Sequence, residues 1–135
     1  MKKYEILEHK ADLNLRIFGK NKKELFENAM IGMFEAGKYQ ADPHSVSVQR
    51  EISVNSPELD LLLADFLSEV LYLTETKKEI YFKVNFRKFS SNHLEAILQG
   101  KKLKNIGIIK AVTYHNLKIT QREDGYLEAE VLFDI

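Results

Sequence analysis

The chain has 135 residues, close to one domain of ordinary size, and a chain of this length buries roughly 68% of its unfolded surface in a core. Twenty Lys and Arg balance twenty Asp and Glu, which excludes a surface committed as a whole to gripping nucleic-acid phosphates. No Cys is present, which excludes a disulfide scaffold, a thiolate metal site and a cysteine nucleophile together.

The N-terminus, Met1 to Glu5, has no apolar h-region, so no secretory signal is expected and the expected location is the cytoplasm. Tyr4 to Glu8 reads as an opening strand. Leu13, Leu15 and Ile17 alternate with Asn14 and Arg16, the period of a half-buried strand that Gly19 ends. Asn21 then has the character of a helix N-cap, with Glu24 three residues on, as in a capping box. Leu25, Phe26, Ala29, Met30, Met33 and Phe34 follow at helical spacing, and Gly37 closes the helix as its C′ residue.

Val46, Val48, Ile52 and Val54 mark a further strand. Ser56-Pro57-Glu58 signals a second helix, with a cap, a first-position proline and an acid in the first turn. Leu59, Leu62, Leu63, Phe66, Leu67, Val70 and Leu71 give that helix a broad apolar stripe. Asp65 and Glu69 interrupt the run from Leu61 to Leu73, so no membrane span is expected. Beyond it the pattern turns to strands: Ile80 to Phe89, His93 to Leu98, Ile108 to Thr120 and Tyr126 to Phe133, the last two joined through Asp124-Gly125. With no linker, repeat or low-complexity segment, residues 1–135 read as one domain. Two helices and about seven strands imply an α+β fold, with the helices covering one face of a mostly antiparallel sheet system.

No HExxH, GxSxG, P-loop or GxGxxG is present, so neither a zinc hydrolase nor a nucleotide pocket is indicated. His9, His44, His93 and His115 show no metal-binding helical spacing. Strand parity is more informative. With Leu13, Leu15 and Ile17 inward, Asp12, Asn14 and Arg16 share the outer face. With Leu127, Ala129, Val131 and Phe133 inward, Glu128, Glu130 and Asp134 do the same. Asp134 also adjoins the terminal carboxylate of Ile135. Carboxylates from two such strand ends are either ordinary solvated termini or, if brought together, a site for a hard divalent cation such as Ca²⁺ or Mg²⁺. The lysine clusters (20/22/23, 77/78, 83/87/88 with Arg87, and 101/102/104) read as solvated surface. Tyr81, Tyr114 and Tyr126 read as base-stacking residues or as cross-strand packing.

Several segments together resemble the archease family. Glu8-His9-Lys10-Ala11-Asp12 is similar to its opening E-H-T-A-D segment, and Lys110-Ala111-Val112-Thr113-Tyr114-His115 to its K-A-V-T-Y-H strand. The helix from Leu61 to Leu73 is similar to its LL-x-D-x-L-x-E-L-L-Y-L helix, and Val131 to Ile135 resembles its terminal V-x-x-D-V/I. Lys10 replaces the family's Thr, residues 104–109 lack the acid and histidine of its D-x-x-H, and Asp42 is the candidate equivalent for an acid after the first helix.

The resemblance implies an archease-like sandwich with a strand–helix–strand–strand module. It also implies a small cytosolic accessory protein, not itself an enzyme, that promotes guanylylation and turnover of an RtcB-type RNA ligase in tRNA splicing or RNA repair. It implies a divalent cation, Ca²⁺ foremost, held by Asp12 and Asp134 with the Ile135 carboxylate. His9, Lys110 and His115 stand at motif positions as supports of the site or of the ligase contact, and RNA would be met only through the ligase. Two other readings of the sequence remain open: a general chaperone-like interaction module, which needs an exposed apolar patch, and a small-molecule metalloenzyme, which needs a deep acid–base pocket.

Overall fold

The computed structural model describes residues 1–8 and 12–135. The elements in chain order are β1 (Tyr4–Glu8), β2 (Asp12–Gly19), α1 (Lys22–Ala36), β3 (Gln40–Ala41), β4 (Val48–Asn55), α2 (Leu59–Lys77), β5 (Glu79–Phe89), β6 (His93–Asn105), β7 (Ala111–Val112), β8 (Ile119–Gln121) and β9 (Leu127–Asp134). They form a five-stranded sheet in the order β1-β2-β9-β7, with β8 also on β9, and a four-stranded sheet in the order β3-β6-β4, with β5 on the other side of β6. Every pairing is antiparallel.

Each helix touches both sheets: α1 packs on β1, β2 and β9 of the first and β5 of the second, and α2 on β4 and β5 of the second and β7 of the first. The expected α+β fold of two helices packed on a mostly antiparallel sheet system is thus observed, and each helix packs on both sheets. The composition of α1 explains this. Leu25, Phe26, Ala29, Met30, Gly32, Met33, Phe34 and Ala36 are all buried and cover more than half of the helix circumference, leaving Glu24, Glu27, Ile31 and Glu35 as the outer stripe. The core is one continuous cluster that includes Leu15 and Ile17 of β2, Phe66 and Leu67 of α2, Leu98 of β6 and Val131 and Phe133 of β9. Phe26 stands at its aromatic centre, with Phe66 at 5.6 Å and Phe89 edge-on at 4.9 Å between ring centroids.

Local signals worked in part. Asn21 caps α1 by accepting from the Glu24 amide at 2.9 Å, while Glu24 reaches back to the amide of Lys20 instead of Asn21. Gly37 is not the left-handed residue. Lys38 takes that conformation (φ 65°), and Lys38 and Tyr39 donate to the carbonyls of Glu35 and Phe34 in a Schellman closure, with Tyr39 edge-on to Phe34. Glycine is needed at 37 and at 107 for space, since a Cβ at Gly37 would lie 2.7 Å from Ile109 and one at Gly107 would overlap the Tyr39 ring. Ser56 does not cap α2. The helix begins at Leu59 with Glu58 as its N-cap and no side-chain bond there, so Ser56 stands two residues too early to accept from the first-turn amides, and its hydroxyl donates instead to the Asp65 carboxylate. Pro57 accordingly precedes the helix.

Three strand boundaries differ. β4 begins at Val48, leaving Val46 exposed. β6 runs on to Asn105, because Leu94, Ala96, Leu98 and Gly100 keep one face inward while its far end gains β3 and the start of β5 as partners. The strand expected from Ile108 to Thr120 is broken into β7 and β8. The apolar spacing slips from two to three between Tyr114 and Leu117, and Asn116 between them adopts φ 53°.

The second sheet carries one buried charge network. Glu79 is fully buried and accepts from Arg50 through both oxygens (2.8 and 2.7 Å), from Tyr81 (2.8 Å) and from Lys102 (3.1 Å). The Arg50 guanidinium, more than burial can oppose, draws the Glu79 carboxyl from its ordinary 4.5 down to about 2. A depressed carboxyl stabilises the fold above its unfolded value and loses that contribution as pH falls through the folded one. Glu79→Gln is expected to destabilise the fold at neutral pH by roughly 1–2 kcal/mol, because Arg50 loses its counter-charge while staying partly in water. The gap from the unsubstituted chain should narrow as pH is lowered from about 4.5 to about 2 in urea titrations. A gap constant over that range would show that the network does not act through charge.

Candidate metal-binding edge of the first sheet

The eight residues of β2 pair with β9 without a register break, and Asp12 falls directly opposite Asp134. Directly opposed residues in an antiparallel pair project to the same face. Leu13, Leu15 and Ile17 point into the core with Phe133, Val131 and Ala129, so the other parity carries Asp12, Asn14 and Arg16 with Asp134, Leu132, Glu130 and Glu128. On its other side Asp134 faces Ala111 of β7, and the Lys110 amide donates to the Asp134 carbonyl at 2.7 Å. Three segments remote in sequence thus meet at Asp134.

A cavity of about 290 Å³ opens on this face, lined by Asp12, Asn14, His115, Asn116, Glu130 and Leu132. Its floor is the β2–β9 ladder, and its wall is the 113–118 connection between β7 and β8. The Thr113 amide donates to the Leu132 carbonyl (2.9 Å), and the Asn116 side-chain amide lies 3.2 Å from the Nε2 of His115. Glu130 is held by Arg16, its cross-strand neighbour, at 2.8 Å.

Of the residues singled out from the sequence, Asp12 and Asp134 are cross-strand partners, and Ile135 follows at the exposed end of β9. His115 shares the cavity with Asp12. Lys110 contributes its backbone amide, and its side chain is exposed. His9 lies outside the described residues, as does Lys10. Asp42 is elsewhere: it accepts from the His44 amide in a turn, and its own amide donates to Lys102 of β6 in the second sheet. Tyr81 is a packing residue, 1% exposed and bonded to Glu79, with no face for a base. Asn14 and Glu130 carried a signal in strand parity. Asn116 carried none, because its segment reads as strand.

The donor set suits a hard cation. Carboxylates from two strands, side-chain amides beside them and an open approach are what Ca²⁺ or Mg²⁺ takes, and with no Cys in the chain a thiolate site is not available. Among the described residues no group of three or more His, Asp or Glu side chains is arranged to enclose a metal by itself.

The profile of the Archease protein family matches residues 4–135. The chain is similar to protein archease of Methanosarcina barkeri, with 40% identity over 99% of this chain and 97% of the relative. It is similar to protein archease of Pyrococcus abyssi, with 32% identity over the full length of both. Among solved structures it is similar to the solution structure of Methanobacterium thermoautotrophicum protein 1598, with a TM-score of 0.70 and 26% identity over all of both chains. It is also similar to the crystal structure of an archease, described as a possible chaperone, from Thermotoga maritima, with a TM-score of 0.69 and 27% identity over 96% of this chain and 94% of that one.

Like charges placed directly opposite on a sheet destabilise it by several tenths of a kcal/mol. Asp134→Asn is therefore expected to leave thermal stability in the presence of a chelator unchanged or raised by roughly 0.5 kcal/mol. A loss above about 1 kcal/mol in calorimetric melts would assign the Asp134 carboxylate a structural task instead.

Proposed function

This chain belongs to the archease family, and from that membership we propose that it is a non-catalytic activator of an RtcB-type RNA ligase, promoting ligase guanylylation and repeated turnover in tRNA splicing or RNA repair. The observation that carries the reading is the in-register pairing of Asp12 with Asp134 beside an open cavity at the end of the first sheet.

Asp12, Asp134 and the Ile135 carboxylate hold a divalent cation, Ca²⁺ in the first place or Mg²⁺. A cation there offsets the mutual repulsion of the carboxylates and offers open coordination positions to acidic groups of a partner. Asp134 and Ile135 are exposed at the end of β9, which leaves this edge open to the mouth of another protein's site. Lys110 holds the end of β9 in place through its amide, and His115 lines the approach.

An accessory protein without reacting groups of its own acts on the conformations of its partner. It shifts a ligase towards its guanylylation-ready state only by binding that state better. A tenfold shift needs a differential affinity of about 1.4 kcal/mol, within the reach of one charge-assisted contact. RNA is met through the ligase, consistent with a surface of zero net formal charge. No helix among the described residues is long and apolar enough to cross a membrane, and the cytoplasm is the compartment the reading assigns.

The test is RNA ligation at limiting ligase with and without this protein, counting turnovers and guanylylated ligase. Asp12→Ala and Asp134→Ala are expected to keep the fold while lowering stimulation by at least about tenfold. Full stimulation by both folded variants would overturn the assignment. Suppression of aggregation of unrelated clients, undiminished in these variants, would favour the chaperone reading instead.

A further inference from the structure

The wall of the cavity is not held by the sheet. Residues 113–118 join β7 to β8, and between Thr113, which bonds to β9, and Ile119, which pairs with Ala129, the chain leaves the ladder. What holds it is α2. The Asp60 carboxylate, in the first turn, accepts from the Ile119 amide at 2.9 Å, and the Asp65 carboxylate accepts from the Tyr114 hydroxyl. Asp60 and Asp65 are about 7.5 Å apart along the helix axis, so one helix grips both flanks of the connection.

We propose that Asp65 and Tyr114 are positioning residues that clasp the His115–Asn116 loop to α2 and thereby set the wall of the acidic cavity.

Neither residue lines the cavity, so their effect passes through the two that follow Tyr114 in the chain. Asp65 is itself fixed at its second oxygen by the Ser56 hydroxyl, which prevents the carboxylate from turning away. Hydrogen bonds to an ionised carboxylate are among the stronger in proteins. The Tyr114 ring is 49% exposed, so core burial contributes little to holding it and the hydroxyl bond matters most. The upward shift of the Tyr114 hydroxyl, caused first by its bond to Asp65, accords with this contact. The clasp also accounts for a serine and an acid of α2 that the core does not use and that cap nothing.

The inference rests on the reading of the cavity as a cation site that contacts the ligase, and the experiment separates the two. With the whole chain, Tyr114→Phe, Asp65→Ala and the double variant are compared for amide hydrogen exchange of residues 113–118, for Ca²⁺ affinity by calorimetry, and for melting temperature. Tyr114→Phe removes one oxygen from a half-exposed side chain, so melting is expected within about 3 °C of the unsubstituted protein. Exchange in 113–118 should rise about tenfold in each single variant and no further in the double, because both substitutions remove the same contact. The dissociation constant for Ca²⁺ should rise about fivefold or more in parallel. Unchanged exchange in Tyr114→Phe would overturn the clasp. Faster exchange with unaltered Ca²⁺ affinity would overturn its positioning role. An unsubstituted protein that ignores Ca²⁺ while its variants still exchange faster would uphold the clasp and overturn the cation reading of the cavity.

Discussion

The β2–β9 ladder joins the first long strand of the chain to its last, and its register decides where every outward side chain of the first sheet stands. A one-residue slip would turn Leu13, Leu15 and Ile17 to water and Asp12 and Arg16 to the core. With Phe133, Val131 and Ala129 on the facing strand, the apolar burial at stake is on the order of 10 kcal/mol. Two opposed carboxylates oppose that register by a fraction of 1 kcal/mol. The core therefore wins easily and holds Asp12 and Asp134 together against their own repulsion. The two carboxylates keep this placement whether or not anything binds, because it is fixed by burial on the reverse side of the same strands.

The helices between the sheets extend this logic. α1 is buried over more than half of its circumference, with Glu24, Glu27, Ile31 and Glu35 outermost, so it serves as core for both sheets. α2 is less symmetrical and uses its polar positions for tertiary contacts. Asp60 and Asp65 meet the backbone and side chain of a distant connection, while Leu62, Phe66, Leu67 and Val70 fill the core. The second sheet in turn supports α2 and contains the only fully buried carboxylate among the described residues, that of Glu79, satisfied by Arg50, Tyr81 and Lys102. Each layer thus fixes the next: the Glu79 network ties β4, β5 and β6, those strands seat α2, and α2 holds the loop that walls the cavity. This ordering is consistent with an accessory role, in which a stiff edge is offered to a partner.

Much of this was readable from residue order alone, because alternation and helical spacing are local. The inward set of β2 and β9, the amphipathic α2, the Asn21 cap and the outward parity of Asp12 and Asp134 all follow from which neighbours are apolar. Gly37 was legible only as a helix-closing residue, and Gly107 carried no signal. Their task of making room for Tyr39 involves segments about 70 residues apart. Ser56 is a tertiary residue for a similar reason: the helix begins two residues later than its cap pattern suggests, and its hydroxyl donates to a carboxylate nearly two turns into the helix.

Strand existence and the facing of side chains were settled by local pattern, since a period of two leaves few choices about which side is buried. Pairing was not, because nothing in residues 12–19 names residues 127–134 as the partner; only burial of both inward faces in one core brings them into register. The break between β7 and β8, and with it the cavity wall of His115 and Asn116, likewise depended on α2. Its acids compete successfully for groups that an unbroken strand would have kept within the sheet, and such competition between distant donors and acceptors leaves no mark on a local sequence pattern.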